Sequence, residues 1–204
     1  NDIRAGSTIG HECVGVVEEV GADVTSFRPG DFVIVPFCHC DNTCVHCRAG
    51  VQSGCVNQGF TVSGQAEHAL VTQAEGSLVR TEDPGDDERL LKSLLALSDV
   101  MPTGWHAAVA AGVRPGGTAV VIGDGAVGLC AVLAAATMGA EKVVAMSRHQ
   151  PRQEIARAFG ATHVVAERGD DGVAKVLEIT GGEGSHVVLE AVGHMPAYVQ
   201  AYGV

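Results

Sequence analysis

Five cysteines, Cys38, Cys40, Cys44, Cys47 and Cys55, fall within eighteen residues of this 204-residue chain. Cys44-Val45-His46-Cys47 is a Cys-x2-Cys pair, and Cys55 follows eight positions later. Two thiolates three residues apart can grip one tetrahedral ion from a tight turn, and a third can close on it from the next turn. The fourth donor has to come from Cys38, Cys40 or Asp41. A redox dithiol is the rival reading, but such a pair normally opens a helix after a strand, and no such context precedes Cys44. The chain has seven cysteines, an odd number that argues against a complete disulfide framework. His39 and His46 share the loop without a ligand spacing of their own.

A second constellation lies further on. Gly123-Asp124-Gly125-Ala126-Val127-Gly128 is a Gly-x-Gly-x-x-Gly run that follows the apolar stretch Thr118–Ile122 and opens an apolar helix. That context is the one a dinucleotide site requires. Gly123 permits the tight turn, Gly125 lets the backbone approach a pyrophosphate, and Gly128 allows close helix–strand packing. The phosphates would lie over the first amides of the helix, at Ala126 and Val127. An acid that reads the ribose is expected some 20 residues beyond the glycines. The chain there has Met146-Ser147-Arg148-His149 and then Arg152, with no acid between Glu141 and Glu154. A hydroxyl and guanidinium groups accommodate a 2′-phosphate, so Ser147, Arg148 and Arg152 predict NADP(H) in preference to NAD(H).

The elements that must position these groups change character along the chain. Val14–Val20, Phe32–Val35 and Gln65–Thr72 read as short strands between glycine turns. Asp86–Leu97 reads as a helix from its leucine spacing. Asp99–Gly104 reads as an interruption, and Trp105–Ala111 as a resumed helix. From Thr118 the order is β-α-β-α-β-α-β. Its helices are expected at 126–138, 152–159 and 172–179, and its later strands at 143–146, 163–165 and 187–189. Nearly pure apolar strands alternating with helices predict a parallel sheet covered on both faces. The whole is therefore an α/β chain of two units meeting near residue 98: a β domain over 1–98 and a dinucleotide-binding domain over 99–204.

Composition narrows the function classes. The chain is 46% hydrophobic and 18% charged with 27 glycines, which favours a buried core over disorder or a coiled coil. It carries 13 basic and 24 acidic side chains, a formal charge of −11, which argues against a nucleic-acid partner. The acidic excess sits mostly in residues 1–100. The most apolar run, Ala126–Ala140, is too short to span a membrane. No export signal opens the chain, so a cytoplasmic location is expected, in keeping with thiolate metal binding.

Together these features resemble the zinc-dependent medium-chain alcohol dehydrogenases, especially the bacterial secondary-alcohol, threonine and sorbitol dehydrogenase-like members. The matching pieces, in family order, are Gly10-His11-Glu12, Val16-Val17-Glu18-Glu19-Val20-Gly21, Pro29-Gly30-Asp31-Phe32-Val33, the cysteine loop, Asp99 with Thr103-Gly104-Trp105-His106, and the glycine run. The resemblance implies a GroES-like catalytic domain followed by a Rossmann domain, with a catalytic zinc in the cleft between them. It implies His11 and Asp99 as ligands of that zinc, and Glu12 as a ligand or its neighbour. It also implies that Trp105 and His106 could line the substrate pocket. It lays the last three structural-zinc positions on Cys44, Cys47 and Cys55 and the first on Asp41, with Cys40 or Cys38 as substitutes.

The implied activity is hydride transfer between a secondary alcohol or polyol, or its carbonyl product, and NADP(H), by a homo-dimer or tetramer. An aldehyde reductase or formaldehyde-type dehydrogenase is the nearest alternative. A non-catalytic nucleotide-binding member is the alternative of a different class. A zinc-free quinone or enoyl reductase would lack these ligand positions. The family's first catalytic ligand, an upstream Cys, and its proton-relaying Ser or Thr have no counterpart in this chain, and the sheet is expected to run on past Gly193. The 204 residues alone are therefore expected to be inactive.

Overall fold

Pro29-Gly30-Asp31 reverses the chain, with Gly30 at φ +93°, and delivers Phe32-Val33-Ile34-Val35 into the centre of a small antiparallel sheet. In this computed structural model, which describes residues 4–204, β1 (Cys13–Val16) pairs with β2 (Phe32–Val35), Cys13 facing Val35 and Val16 facing Phe32. All four β2 residues are buried. Beyond Pro36 a two-stranded ribbon, β3 (Cys38–His39) with β4 (Gly59–Phe60), brackets the cysteine loop, which holds the short helix α1 (Val45–Arg48). After α2 (Ala74–Ser77), β5 (Val79–Thr81) pairs with the other edge of β2. Helix α3 (Glu88–Ala96) starts at Asp87, whose carboxylate accepts the amides of Arg89 and Leu90 at 3.0 and 2.9 Å. Its Leu94 packs on Phe32, Ile34 and Val14. The chain divides into two units, one ending at Asp99 and the other running from Val100 to Val204.

The second unit is built on a four-stranded parallel sheet. Helix α4 (Val100–Ala110) leads to β6 (Thr118–Ile122), α5 (Ala126–Thr137), β7 (Lys142–Met146), α6 (Gln150–Ala158), β8 (His163–Val165), α7 (Gly169–Ile179), β9 (Val187–Glu190) and α8 (Met195–Tyr202). The strand order is β8-β7-β6-β9, so the chain crosses over between β6 and β9. Val120, Val121, Val143 and Val144 are wholly buried, and each contributes about 1.5–3 kcal/mol by leaving water. Val121, Val143 and Leu189 pack with α5 alanines on one face. Val120, Val144 and Val176 pack on the other, as a doubly covered sheet requires. Among the described residues no helix is long and apolar enough to cross a membrane.

Several expectations change. No strand forms over 65–72. Its apolar alternation is real, but a strand needs a ladder partner, and among the described residues Gln65 alone of the stretch bonds other backbone, at Ile9, next to Gly64 at Gly10. The first strand stops at Val16 rather than Val20. The expected break at 99–104 is instead the start of α4. Pro102 falls in the first turn, where a missing N–H costs nothing. Gly104 is there for packing, because a Cβ would lie 2.6 Å from the Ala131 nitrogen of α5. Gly104→Ala is therefore expected to destabilise by about 1–3 kcal/mol; an unchanged urea midpoint would show that the two helices can part without cost. Helix α7 begins three residues early, and α8 was not anticipated.

Candidate metal and cofactor sites

The first site depends on two glycines that share one constraint. Gly10 has φ +82°, and a Cβ on it would lie 2.6 Å from Gln65 Cγ and 2.8 Å from the Gln65 nitrogen. A Cβ on Gly64 would lie 3.0 Å from the Glu12 carbonyl oxygen. The two segments therefore close on each other, with Gly64 and Gln65 donating to Gly10 and Ile9 at 2.9 and 3.1 Å. This clamp presents His11 and Glu12. Asp99 arrives from the end of α3: buried Ser98 bonds back to Leu95 through its hydroxyl, and its carbonyl accepts the Phe37 amide at 3.0 Å. The Phe37 ring stands 5.7 Å from the His11 imidazole and stacks at 5.9 Å on Phe60.

The result is a three-donor group. One ligand atom each from His11, Glu12 and Asp99 lies within 4.8 Å of the others. His11 Nε2 is 2.9 Å from Asp99 Oδ2, with the histidine half exposed and the aspartate nearly covered. Two oxygens and an imidazole nitrogen at this spacing are a donor set that zinc accepts. Trp105 and His106 are exposed on α4. Gly10 was read from sequence as part of a motif. The contributions of Gly64, Gln65 and Phe37 carry no local signal.

The cysteine loop gathers a second group. Sγ atoms of Cys44, Cys47 and Cys55 and a carboxylate oxygen of Asp41 lie within 4.8 Å of one another. Contrary to the sequence expectation, the Cys-x2-Cys pair does open a helix after a strand: Cys44 is the residue before α1, Cys47 is on it, and the Gly50 turn returns the chain to Cys55. Cys47 and Cys55 are buried. The Asp41 carboxylate accepts the Thr43 and Cys44 amides at 2.8 and 2.9 Å and the Asn57 side-chain amide at 2.7 Å, which hold its carboxyl well below the usual range. The Cys47 and Val56 amides lower the Cys44 thiol to about 7, so it approaches the thiolate form a metal needs. Burial pushes the Cys47 thiol up to about 12. Cys38 and Cys40 do not join the group, and the Cys40 thiol instead faces the Gly76 carbonyl at 3.6 Å. Three sulfurs and one carboxylate suit a closed zinc site. His46 stays outside it, and His39 bonds Thr72 at 3.2 Å.

The third site is at the β6–β9 crossover. A Cβ on Gly123, at φ +114°, would meet Val192 and Ala191 at 3.0–3.1 Å, and one on Gly128 would strike the Gly123 carbonyl oxygen at 2.2 Å. Above Gly125 there is nothing within 4 Å. Gly125 precedes α5, whose first amides have no side-chain cap. A dinucleotide pyrophosphate fits this open, uncapped helix start. Ser147, buried at the end of β7, and Arg152 on α6 both turn to Asp124: Ser147 Oγ donates to Oδ2 at 2.8 Å and Arg152 Nη1 to Oδ1 at 3.0 Å. Burial alone would raise the Asp124 carboxyl; these two bonds outweigh it and hold it below its ordinary value. Arg148 is exposed and makes no ion pair among the described residues. The absence of an acid at this strand end holds along the local segment and fails in space.

Comparison with known proteins agrees with both units. Residues 2–83 match the family described as alcohol dehydrogenase GroES-like domain, and residues 126–204 the family described as zinc-binding dehydrogenase. An alcohol dehydrogenase of Cupriavidus necator is 33% identical over 99% of this chain and 60% of its own length. A medium chain reductase/dehydrogenase of Acremonium is 35% identical over 98% of this chain and 71% of its own. The alcohol dehydrogenase structure from Thermus sp. ATN1 superposes with a TM-score of 0.83 at 33% identity, over 97% of this chain and 58% of that one. The chain thus spans about 60% of the length of the Cupriavidus relative.

Proposed function

The chain belongs to the zinc-dependent medium-chain alcohol dehydrogenase family, and we propose that the natural protein moves hydride between a secondary alcohol or polyol, or its carbonyl product, and NADP(H). The observation that supports this reading is the convergence of His11, Glu12 and Asp99 on one point, in a chain that also carries an open glycine cradle. His11 and Asp99 would hold the catalytic zinc, and Glu12 would enter or leave the ligand set. Bound zinc polarises a substrate oxygen, and a bound nicotinamide accepts or gives the hydride. Asp41, Cys44, Cys47 and Cys55 would hold a structural zinc. Gly123, Gly125, Gly128 and the Ala126 and Val127 amides would seat the pyrophosphate. Ser147, Arg148 and Arg152 would face the adenosine ribose. Two guanidinium groups against one carboxylate leave a net positive corner, which favours a 2′-phosphate. Seven unbridged thiols suit the reducing cytoplasm.

Calorimetric titration of the natural protein with NADPH and NADH in parallel tests the reading. NADPH is expected to bind at least about tenfold more tightly, a difference of about 1.4 kcal/mol. Tighter NADH would refute the 2′-phosphate assignment, and binding of neither would refute the cofactor site itself.

A further inference from the structure

We propose that Asp124 is the residue that limits discrimination between NADP(H) and NAD(H): it is a ribose-side acid delivered by the glycine turn instead of by the strand that normally carries one. The proposal rests on the reading that Ser147, Arg148 and Arg152 surround the adenosine ribose. Position 124 lies inside the Gly-x-Gly-x-x-Gly run, where the side chain has no prescribed role. Here its carboxylate crosses to the end of β7. It accepts the Ser147 hydroxyl at 2.8 Å and the Arg152 guanidinium at 3.0 Å, so two of the three groups available to a 2′-phosphate already hold an anion. Asp124 is nearly covered while Arg152 is half exposed. The acid is thus the fixed partner, and the arginine is the one able to turn toward a ligand.

The charge at this corner decides the direction of the effect. Arg148 and Arg152 supply two positive charges and Asp124 removes one, whereas a phosphate monoester carries about −1.5 to −2 at neutral pH. A 2′-phosphate must therefore draw Arg152 and Ser147 away from Asp124 and accept a like charge nearby. A 2′-hydroxyl faces no such opposition, and a carboxylate can accept its hydrogen bond. Asp124 consequently narrows the preference for NADP(H) without abolishing it.

The test uses 5′-AMP and adenosine 2′,5′-bisphosphate, which report on this corner by binding alone, titrated calorimetrically into the natural protein. Asp124→Asn keeps an acceptor for Ser147 and Arg152 and removes only the charge. It is expected to tighten the bisphosphate about tenfold, the scale of one charge at a partly solvated site, with AMP within about twofold. Arg152→Gln leaves the acid uncompensated and is expected to weaken the bisphosphate more than tenfold, again sparing AMP. An unchanged or reduced preference in Asp124→Asn, or a rise that comes only from weaker AMP, overturns the proposal while the functional reading stands. If neither nucleotide binds the unaltered protein, both fall.

Discussion

Replacing His11 by Ala in the natural protein is expected to lower kcat/KM for alcohol oxidation by about a thousandfold or more, with NADPH affinity within about twofold. A thousandfold loss corresponds to about 4 kcal/mol of transition-state stabilisation. The size follows from the make-up of the donor group: among the described residues His11 is its one nitrogen donor, 2.9 Å from Asp99 Oδ2, with Glu12 beside them. Without it the described group offers a cation two carboxylates and no nitrogen, a set that suits harder ions better than zinc. His11 is half exposed, so its truncation opens no cavity in a core and the fold is expected to persist. Steady-state kinetics together with zinc content per chain decide the matter. Retained activity with an unchanged zinc content would remove His11 from the catalytic site.

The second large effect is expected from Cys47→Ser. Bound zinc should fall by about one per chain, and Tm by at least about 5 °C, because a loop closed by metal owes part of its stability to the metal. The loop has little else to hold it. Its regular structure is one turn of helix, α1, and a short ribbon, and its buried side chains are chiefly Cys47 and Cys55. Asp41→Ala should act in the same direction but less, weakening zinc retention against a chelator about tenfold, since three thiolates remain. If Cys47→Ser keeps its full zinc and Tm, the loop is stabilised by packing and hydrogen bonds, and the cluster is not a metal site.

Much of this was legible along the chain because it depends on neighbours in sequence. The Cys-x2-Cys pair with Cys55 eight residues on, the glycines at the mouth of an apolar strand, and the run of short apolar strands each express local geometry. The parallel sheet follows from strands too apolar to face water. That His11, Glu12 and Asp99 would come together, and Asp41, Cys44, Cys47 and Cys55 likewise, was expected from motif order. That motif order could not tell Asp41 from Cys40 or Cys38, because one residue of shift along the loop turns a side chain away. The folded loop brings Asp41 to the thiols and turns Cys40 to Gly76.

What only the tertiary structure decided shares one physical cause, contact between residues far apart in the chain. Pro102 and Gly104 look like helix breakers, yet the first sits in the opening turn of α4 and the second is required by α5 beside it. The alternation over 65–72 looks like a strand, yet it has no ladder among the described residues, and Gly64-Gln65 instead clamps the His11 turn. Asp124 looks like a variable position in a glycine motif, yet the parallel pairing of β6 with β7, which sets Ile122 beside Met146, carries it to Ser147 and Arg152, 23 and 28 positions away. The amino-acid sequence by itself determined which groups are available and the local turns that present them. The side chain each group faces depends on backbone closure over tens of residues, and short-range spacing carries no record of that closure.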